Sequence, residues 1–197
     1  MTTPINITGE LTSDPSVCQF HLEQPMVEDW MVVFDQPEDS RGSALADALF
    51  AVEGVVRVSV MGPTISITKC VTDPWQQFAP AIGKAIREAY ASGRPLIAPE
   101  VIQALEAQPI GEIEGVVTDL FENRINPALA SHGGFVRLVK VEGRDVHVEM
   151  GGGCQGCASS KATLKHGIEL AIRGALPQVR HIVDATDHSS GTNPFYR

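Results

Sequence analysis

The sequence predicts an α+β protein: two small domains that each mix short helices with a small sheet, joined by a proline-containing linker, with the C-terminal domain in α-β-β-α-β order. Three observations carry this expectation. Apolar residues recur at helical spacing in some segments and alternate with polar ones in others, and neither pattern runs long. The stretch RPLIAPEVIQALEAQPIGE, residues 94–112, holds three prolines and a glycine, the composition of a domain boundary. The chain has 197 residues, 43% of them hydrophobic, enough to bury a core in each of two domains. The expected boundaries are 1–95, a linker at 96–111 within which a short helix is expected over 99–107, a second domain at 112–186, and a polar tail at 187–197.

In the first domain VCQFHL, residues 17–22, places Cys18, Phe20 and Leu22 on one face of an edge strand or hairpin. MVVF, 31–34, is a short apolar run that the turn cluster DQPEDS ends. Ser43 is an N-cap, Leu45, Ala48, Leu49 and Val52 follow at helical spacing, and Gly54 stops the helix. VVRVSV and ISIT flank MGPT as a hairpin with a four-residue connection. Trp75, Phe78, Ala79, Ile82, Ile86, Ala89 and Tyr90 form the apolar stripe of a helix closed by Gly93 and Pro95, and its aromatics read as core.

The second domain opens with a helix whose inner face is Ile113, Val117, Leu120 and Phe121. Pro127 must end or kink it, because proline lacks the amide and clashes with the preceding turn. Two strands follow the HGG at 132–134. On the first, Phe135, Arg137, Val139 and Val141 face one way and Val136, Leu138 and Lys140 the other; on the second, Val146 and Val148 oppose His147 and Glu149. Leu164, Ile168, Ala171, Ile172 and Ala175 line a helix that Pro177 ends, and VRHIVDA, 179–185, is a last strand.

Bulk charge narrows the function. Acidic residues number 24 against 15 basic, a net of -9, which argues against non-specific binding to nucleic acid or anionic lipid. No apolar run approaches the roughly 20 residues of a membrane span. The N-terminus lacks the basic start and apolar stretch of a secretory signal, so the expectation is a soluble cytoplasmic protein.

The chemistry concentrates in GGGCQGCASS, residues 151–160, where Cys154 and Cys157 stand three positions apart among glycines. The pair lies where strand gives way to helix, and the amides and dipole of a helix N-terminus favour a thiolate, the form that binds metal. Lys161 and Lys165, one turn apart, add positive potential or form a solvated face. Gly151, Gly152, Gly153 and Gly156 let the backbone curl and leave the sulfurs uncovered. Three readings compete. A thiol–disulfide oxidoreductase needs only two thiols, but expects them after the first strand of a βαβ unit, whereas here they follow a hairpin. A structural zinc site wants four ligands, and the six histidines show no pairing that would supply them. An iron–sulfur cluster also wants four thiolates. The remaining cysteines, Cys18 and Cys70, are isolated in apolar strands and read as small buried hydrophobes. The economical solution is a two-fold axis, with two chains each contributing Cys154 and Cys157 to one shared cluster. His132, before the double glycine, reads as a helix-end residue rather than a ligand.

INPALASHGGFVRLVKVEG, VHVEMGGGCQGCASSKATLKHGIELAI and LPQVRHIVDA, within residues 112–186, closely resemble the Nfu-type iron–sulfur domain, also found at the C-terminus of NifU. Asn126-Pro127 stands where the family usually has Arg-Pro, and Phe135 where an acidic residue is common. Residues 13–96, with DPSVCQF, SALADALFAVEGVVRVSVMGPTISITK, Trp75 and ASGRPL, resemble the separate Nfu N-terminal domain. The resemblance implies a non-enzymatic scaffold or carrier that holds a [4Fe–4S] cluster between two protomers through Cys154 and Cys157. It implies as partners a second copy of the chain, apo iron–sulfur client proteins and upstream assembly proteins. The N-terminal domain, without a cysteine motif, is expected to serve client or partner interaction.

Overall fold

Alternating apolar and polar residues build two separate sheets, each with its own core. The computed structural model describes residues 5–131, 133–152 and 158–186, and of 158–166 the backbone alone. The chain divides into unit 1, Met1–Ala107, and unit 2, Gln108–Arg197.

Unit 1 is built on strands β1 (Ile7–Leu11), β2 (Val17–Leu22), β3 (Val27–Phe34), β4 (Val55–Gly62) and β5 (Thr64–Lys69). They form one sheet in the order β1-β2-β5-β4-β3, antiparallel throughout. β2 alternates as its sequence predicts, with Cys18, Phe20 and Leu22 buried. β1 is an addition: with one partly buried residue and a glycine at its centre, ITGEL offers no alternation to read. The β4–β5 hairpin is tighter than the expected four-residue connection. Met61 already pairs with Thr64, leaving Gly62 and Pro63 as the loop, and Gly62 takes the positive φ of 55° that the turn demands.

Three helices close the core: α1 (Ala44–Phe50), α2 (Trp75–Ala91) and α3 (Pro99–Ala107). Val58, Val60, Ile65 and Ile67 from the sheet meet Leu45, Leu49, Ile82 and Ile86 from α1 and α2, all fully buried. Each contributes about 1.5–3 kcal/mol by leaving water. The aromatics of α2 are core, as expected: Trp75 packs edge-on against Phe20 and Phe78, and its indole N–H donates to the Pro15 carbonyl at 2.9 Å. Lys69 is buried beneath the same indole, its ammonium donating to the carbonyls of Val71 and Asp73 at 2.7 Å each.

Most of the segment expected as a linker, 96–111, is folded onto unit 1, and the boundary falls after Ala107. Ala98, Val101 and Leu105 enter the core of unit 1. The cause is a reciprocal cap. Ser43 precedes α1 as predicted but makes no side-chain bond to its own helix. The free amides of Ala44 and Leu45 donate instead to the carbonyls of Pro95 and Leu96, and the Ser43 hydroxyl accepts from the Ala98 amide at 2.8 Å. Arg94 adds an ion pair to Asp47 at 2.6 Å. Hydrogen bonds from Ser40 and then Arg94 hold the Asp47 carboxyl below its ordinary pKa.

Unit 2 contains α4 (Ile113–Leu120), a π-helical turn at Phe121–Ile125, α5 (Asn126–Ala130), β6 (Gly134–Glu142), β7 (Asp145–Gly152), α6 (Ala158–Ala175) and β8 (His181–Asp184). The widened turn is where Pro127 acts. Proline can neither donate to the carbonyl four residues back nor tolerate it nearby, so the helix loosens and restarts with Pro127 in its first turn. Ile113, Val117, Leu120 and Phe121 are buried as predicted, against Val136, Val146, Val148, Met150, Ile168 and Ile172. On α6, Ala175 is exposed and Leu176 takes the core position instead.

The expected faces of β6 hold only as far as Leu138. The register shifts between Leu138 and Lys140, leaving Val139 as an unpaired bulge residue that is 47% exposed. One extra residue inverts everything after it, so Val141 joins Val136 and Leu138 on the core side and Lys140 turns outward. The sheet order is β6-β7-β8, with β6–β7 antiparallel and β7–β8 parallel.

Candidate functional site

The parallel pairing of β8 changes the setting of the cysteine motif. β7, α6 and β8 make a strand–helix–strand crossover, and the Cys154–Cys157 segment falls at its strand-to-helix junction. The sequence-based objection to a redox pair, that it merely follows a hairpin, is therefore corrected: the motif follows both a hairpin and the first strand of a βαβ unit. Cys154, Cys157, His132, Gly153 and Gly156 lie outside the described residues. Lys161 and Lys165 lie on α6, whose backbone alone is described there.

The approach to the motif is defined by β6 and β7. Their last two pairs are Phe135 with Gly151 and Gly134 with Gly152. A Cβ at either of these β7 glycines would meet a close neighbour, backbone at one and a side chain at the other. Gly152 has φ +63°, and a Cβ there would collide with the Gly133 carbonyl oxygen. Gly151 lies against the Phe135 ring, and a Cβ there would clash with the far edge of that ring. Phe135, opposite Gly151, is a half-exposed aromatic. Farther back on the same face, Arg137 pairs with Glu149 at 2.7 Å and Lys140 with Glu142 at 2.7 Å. The Lys140 ammonium, by hydrogen bond and by charge, and to a smaller degree the neighbouring His147 hold the Glu142 carboxyl below its ordinary value.

Side chains secure the same strand ends. The Asn126 carboxamide bonds both backbone groups of Val136, and the Thr186 hydroxyl accepts from the Met150 amide. Sequence reading passed over both residues. The only hint was Asn126 standing at a position where the resembled family carries arginine.

α6 begins at Ala158, the residue after Cys157 in the sequence. A helix start leaves amides without intrahelical acceptors and a partial positive charge, which suits thiolate ligands. The other two cysteines belong to unit 1. Cys18 is buried, its thiol donating to the Glu10 carbonyl at 3.3 Å, and burial pushes its pKa up. Cys70 is exposed, against expectation. It falls one residue past β5, on the outward parity of a strand whose buried residues are Ile65, Ile67 and Lys69. Among the described residues, no group of three or more histidine, cysteine or acidic side chains is placed to hold a metal ion.

Comparison with known proteins agrees with this two-unit arrangement. The family model of the NifU-like domain matches residues 117–183, and that of the scaffold protein Nfu/NifU N terminal matches 7–93. The chain is 30% identical over 198 residues to NifU-like protein 5, mitochondrial, of Arabidopsis thaliana, covering 96% of this chain and 72% of that relative. The chain belongs to the NifU-like family. A second plant member, NifU-like protein 4, mitochondrial, is 29% identical over 187 residues, 92% of this chain and 66% of its own. The Fe/S biogenesis protein NfuA of Stenotrophomonas maltophilia strain K279a is 51% identical over 75 residues, 38% of each chain. No helix among the described residues of this NifU-like protein is long and apolar enough to cross a membrane.

Proposed function

We propose that this protein is an iron–sulfur cluster scaffold or carrier. Two copies hold one [4Fe–4S] cluster between them through Cys154 and Cys157 of each and pass it to apo client proteins. The observation that carries this reading is the cysteine pair at the β7–α6 junction of a NifU-like chain, with two thiols where a cluster takes four. The donor set fits: thiolates are the ordinary ligands of such clusters, and the start of α6 favours their ionised form. The cluster is cargo, and its transfer is ligand exchange, in which a client thiolate replaces a carrier thiolate at iron. No turnover chemistry is required of the protein, so it is not an enzyme. Cys18 and Cys70 stand in the other unit and are not ligands.

Unit 1, with a closed core and no cysteine pair, serves client recognition. Removing residues 1–107, the boundary the fold defines, should preserve cluster assembly and slow transfer to some clients; unchanged transfer to every client tested would make unit 1 a spacer.

One observation favours a second reading. A CxxC at a βαβ junction is also the setting of a thiol–disulfide oxidoreductase. Anaerobic reconstitution with iron and sulfide, beside an insulin-reduction assay, separates the two. The carrier reading expects a brown dimer with about four irons per two chains and no insulin reduction. Reductase activity without cluster uptake would overturn it.

A further inference from the structure

Two side chains bond the outer edges of the β6–β7 hairpin near its last pairs. Val136 of β6 and Met150 of β7 are partners across the hairpin. On the outer edge of β6, Asn126 Nδ2 donates to the Val136 carbonyl at 3.0 Å, and its Oδ1 accepts from the Val136 amide at 2.8 Å. A single carboxamide thereby does what a neighbouring strand would do. On the far edge of β7, the last backbone bond among the described residues that follow β8 runs from the Ala185 amide to the Val148 carbonyl at 2.8 Å. The next rung is a side chain: Thr186 Oγ1 accepts from the Met150 amide at 2.8 Å. Thr186 is 9% exposed, and its own amide donates to Asp184 Oδ1 at 3.0 Å. Both clamps thus grip one level of the hairpin from opposite sides, four residues before Cys154 in the sequence.

We propose that Asn126 and Thr186 are positioning residues for the cysteine pair, setting how readily the cluster is released. This rests on the carrier reading above. Cluster exchange requires a thiolate to leave iron, and β7, which ends two residues before Cys154 in the sequence, resists movement only as firmly as its edges are held. The Met150 amide is buried at the end of the β8 ladder, so loss of the Thr186 hydroxyl leaves a buried donor without this acceptor and loosens the strand. Loss of the Asn126 carboxamide frees both backbone groups of Val136 on the partner strand.

The test uses the full chain as wild type, Thr186→Val, Thr186→Ser and Asn126→Ala. In the apo proteins, thermal melting and amide hydrogen exchange at Val136 and Met150 report whether each clamp is lost while the fold survives. In the reconstituted proteins, iron release to a ferrous chelator is timed. Thr186→Val should speed both Met150 exchange and iron release, on the order of tenfold. Thr186→Ser, which keeps the acceptor, should stay within about twofold of wild type. Asn126→Ala should speed Val136 exchange and iron release, and it decides the matter alone if Thr186→Val does not fold. Faster amide exchange with unchanged iron release would overturn the proposal while leaving the carrier reading intact. A wild-type chain that takes up no cluster would overturn both.

Discussion

Cysteine has one meaning in unit 1 and another in unit 2. In unit 1, Cys18 fills a core strand with its thiol bonded to a backbone carbonyl, and Cys70 stands exposed just past a strand end with no second cysteine beside it in sequence. In unit 2, two thiols stand three residues apart between a strand end shaped by glycine and the first turn of a helix. The thiol is the same throughout. The surroundings differ: a five-stranded antiparallel sheet closed by three helices against a three-stranded mixed sheet, with the motif following its middle strand in the sequence. Chemistry follows from the backbone that presents a residue, not from the residue type.

The sharpest way to break this contrast is to remove thiols one at a time. Cys154→Ala or Cys157→Ala should abolish cluster absorbance after anaerobic reconstitution, whereas Cys18→Ala and Cys70→Ala should retain it. Loss of the cluster in either unit 1 variant would end the contrast.

The next largest effect is on stability. Ile67 is fully buried, and Ile67→Ala should cost unit 1 about 2–5 kcal/mol. If the units have separate cores, as their burial shows, cluster loading at moderate temperature should be unaffected. Parallel loss of loading, read by absorbance against a thermal melt, would mean the units fold as one.

Within unit 2 the two strand glycines should separate. Gly152→Ala forces a left-handed φ on alanine and meets backbone, so it should cost about 1–3 kcal/mol. Gly151→Ala meets only the Phe135 ring, which is half exposed and can swing away, so its cost should be smaller and should vanish in the Phe135→Ala background. A chemical melt of the four variants measures the coupling.

The smallest effect concerns the unit 1 thiols themselves. Iodoacetamide should modify Cys70 promptly and Cys18 only after unfolding. Burial first, with the nearby Glu10 carboxylate adding, raises the Cys18 pKa above its ordinary 9.0, and the Glu10 carbonyl bond opposes the rise. The neutral thiol is the form the fold favours. Its contribution is therefore complete below about pH 9 and is lost as pH rises past that point. A melt series from pH 8 to pH 10.5 on wild type and Cys18→Ala reads this difference.

The strands and helices that alternate cleanly were readable in the sequence. β2 and the α2 stripe are examples, because their pattern records one buried face. What escaped depends on contacts between distant residues. The bulge at Val139 is invisible to a period-two count, yet it moves Val141 to the core. The folding of 96–107 onto unit 1 follows from the reciprocal cap with α1, whose partners are about fifty residues apart, a pairing no local composition reveals. The parallel partnership of β8, which places the motif in a crossover, likewise depends on how α6 returns the chain. At the candidate site, the spacing of Cys154 and Cys157 is what sequence alone offers, whereas the bonds of Asn126 and Thr186 are not legible there, since an amide and a hydroxyl find these partners only at the strand edges they meet.

The central claim is that each chain carries half a cluster site. Native mass spectrometry of the anaerobically reconstituted protein, with Mössbauer spectroscopy of the same sample, tests it most directly. The account predicts a species of two chains carrying one [4Fe–4S] cluster, absent from the Cys154→Ala protein. A cluster retained on single chains, or one that survives loss of Cys154, would contradict it.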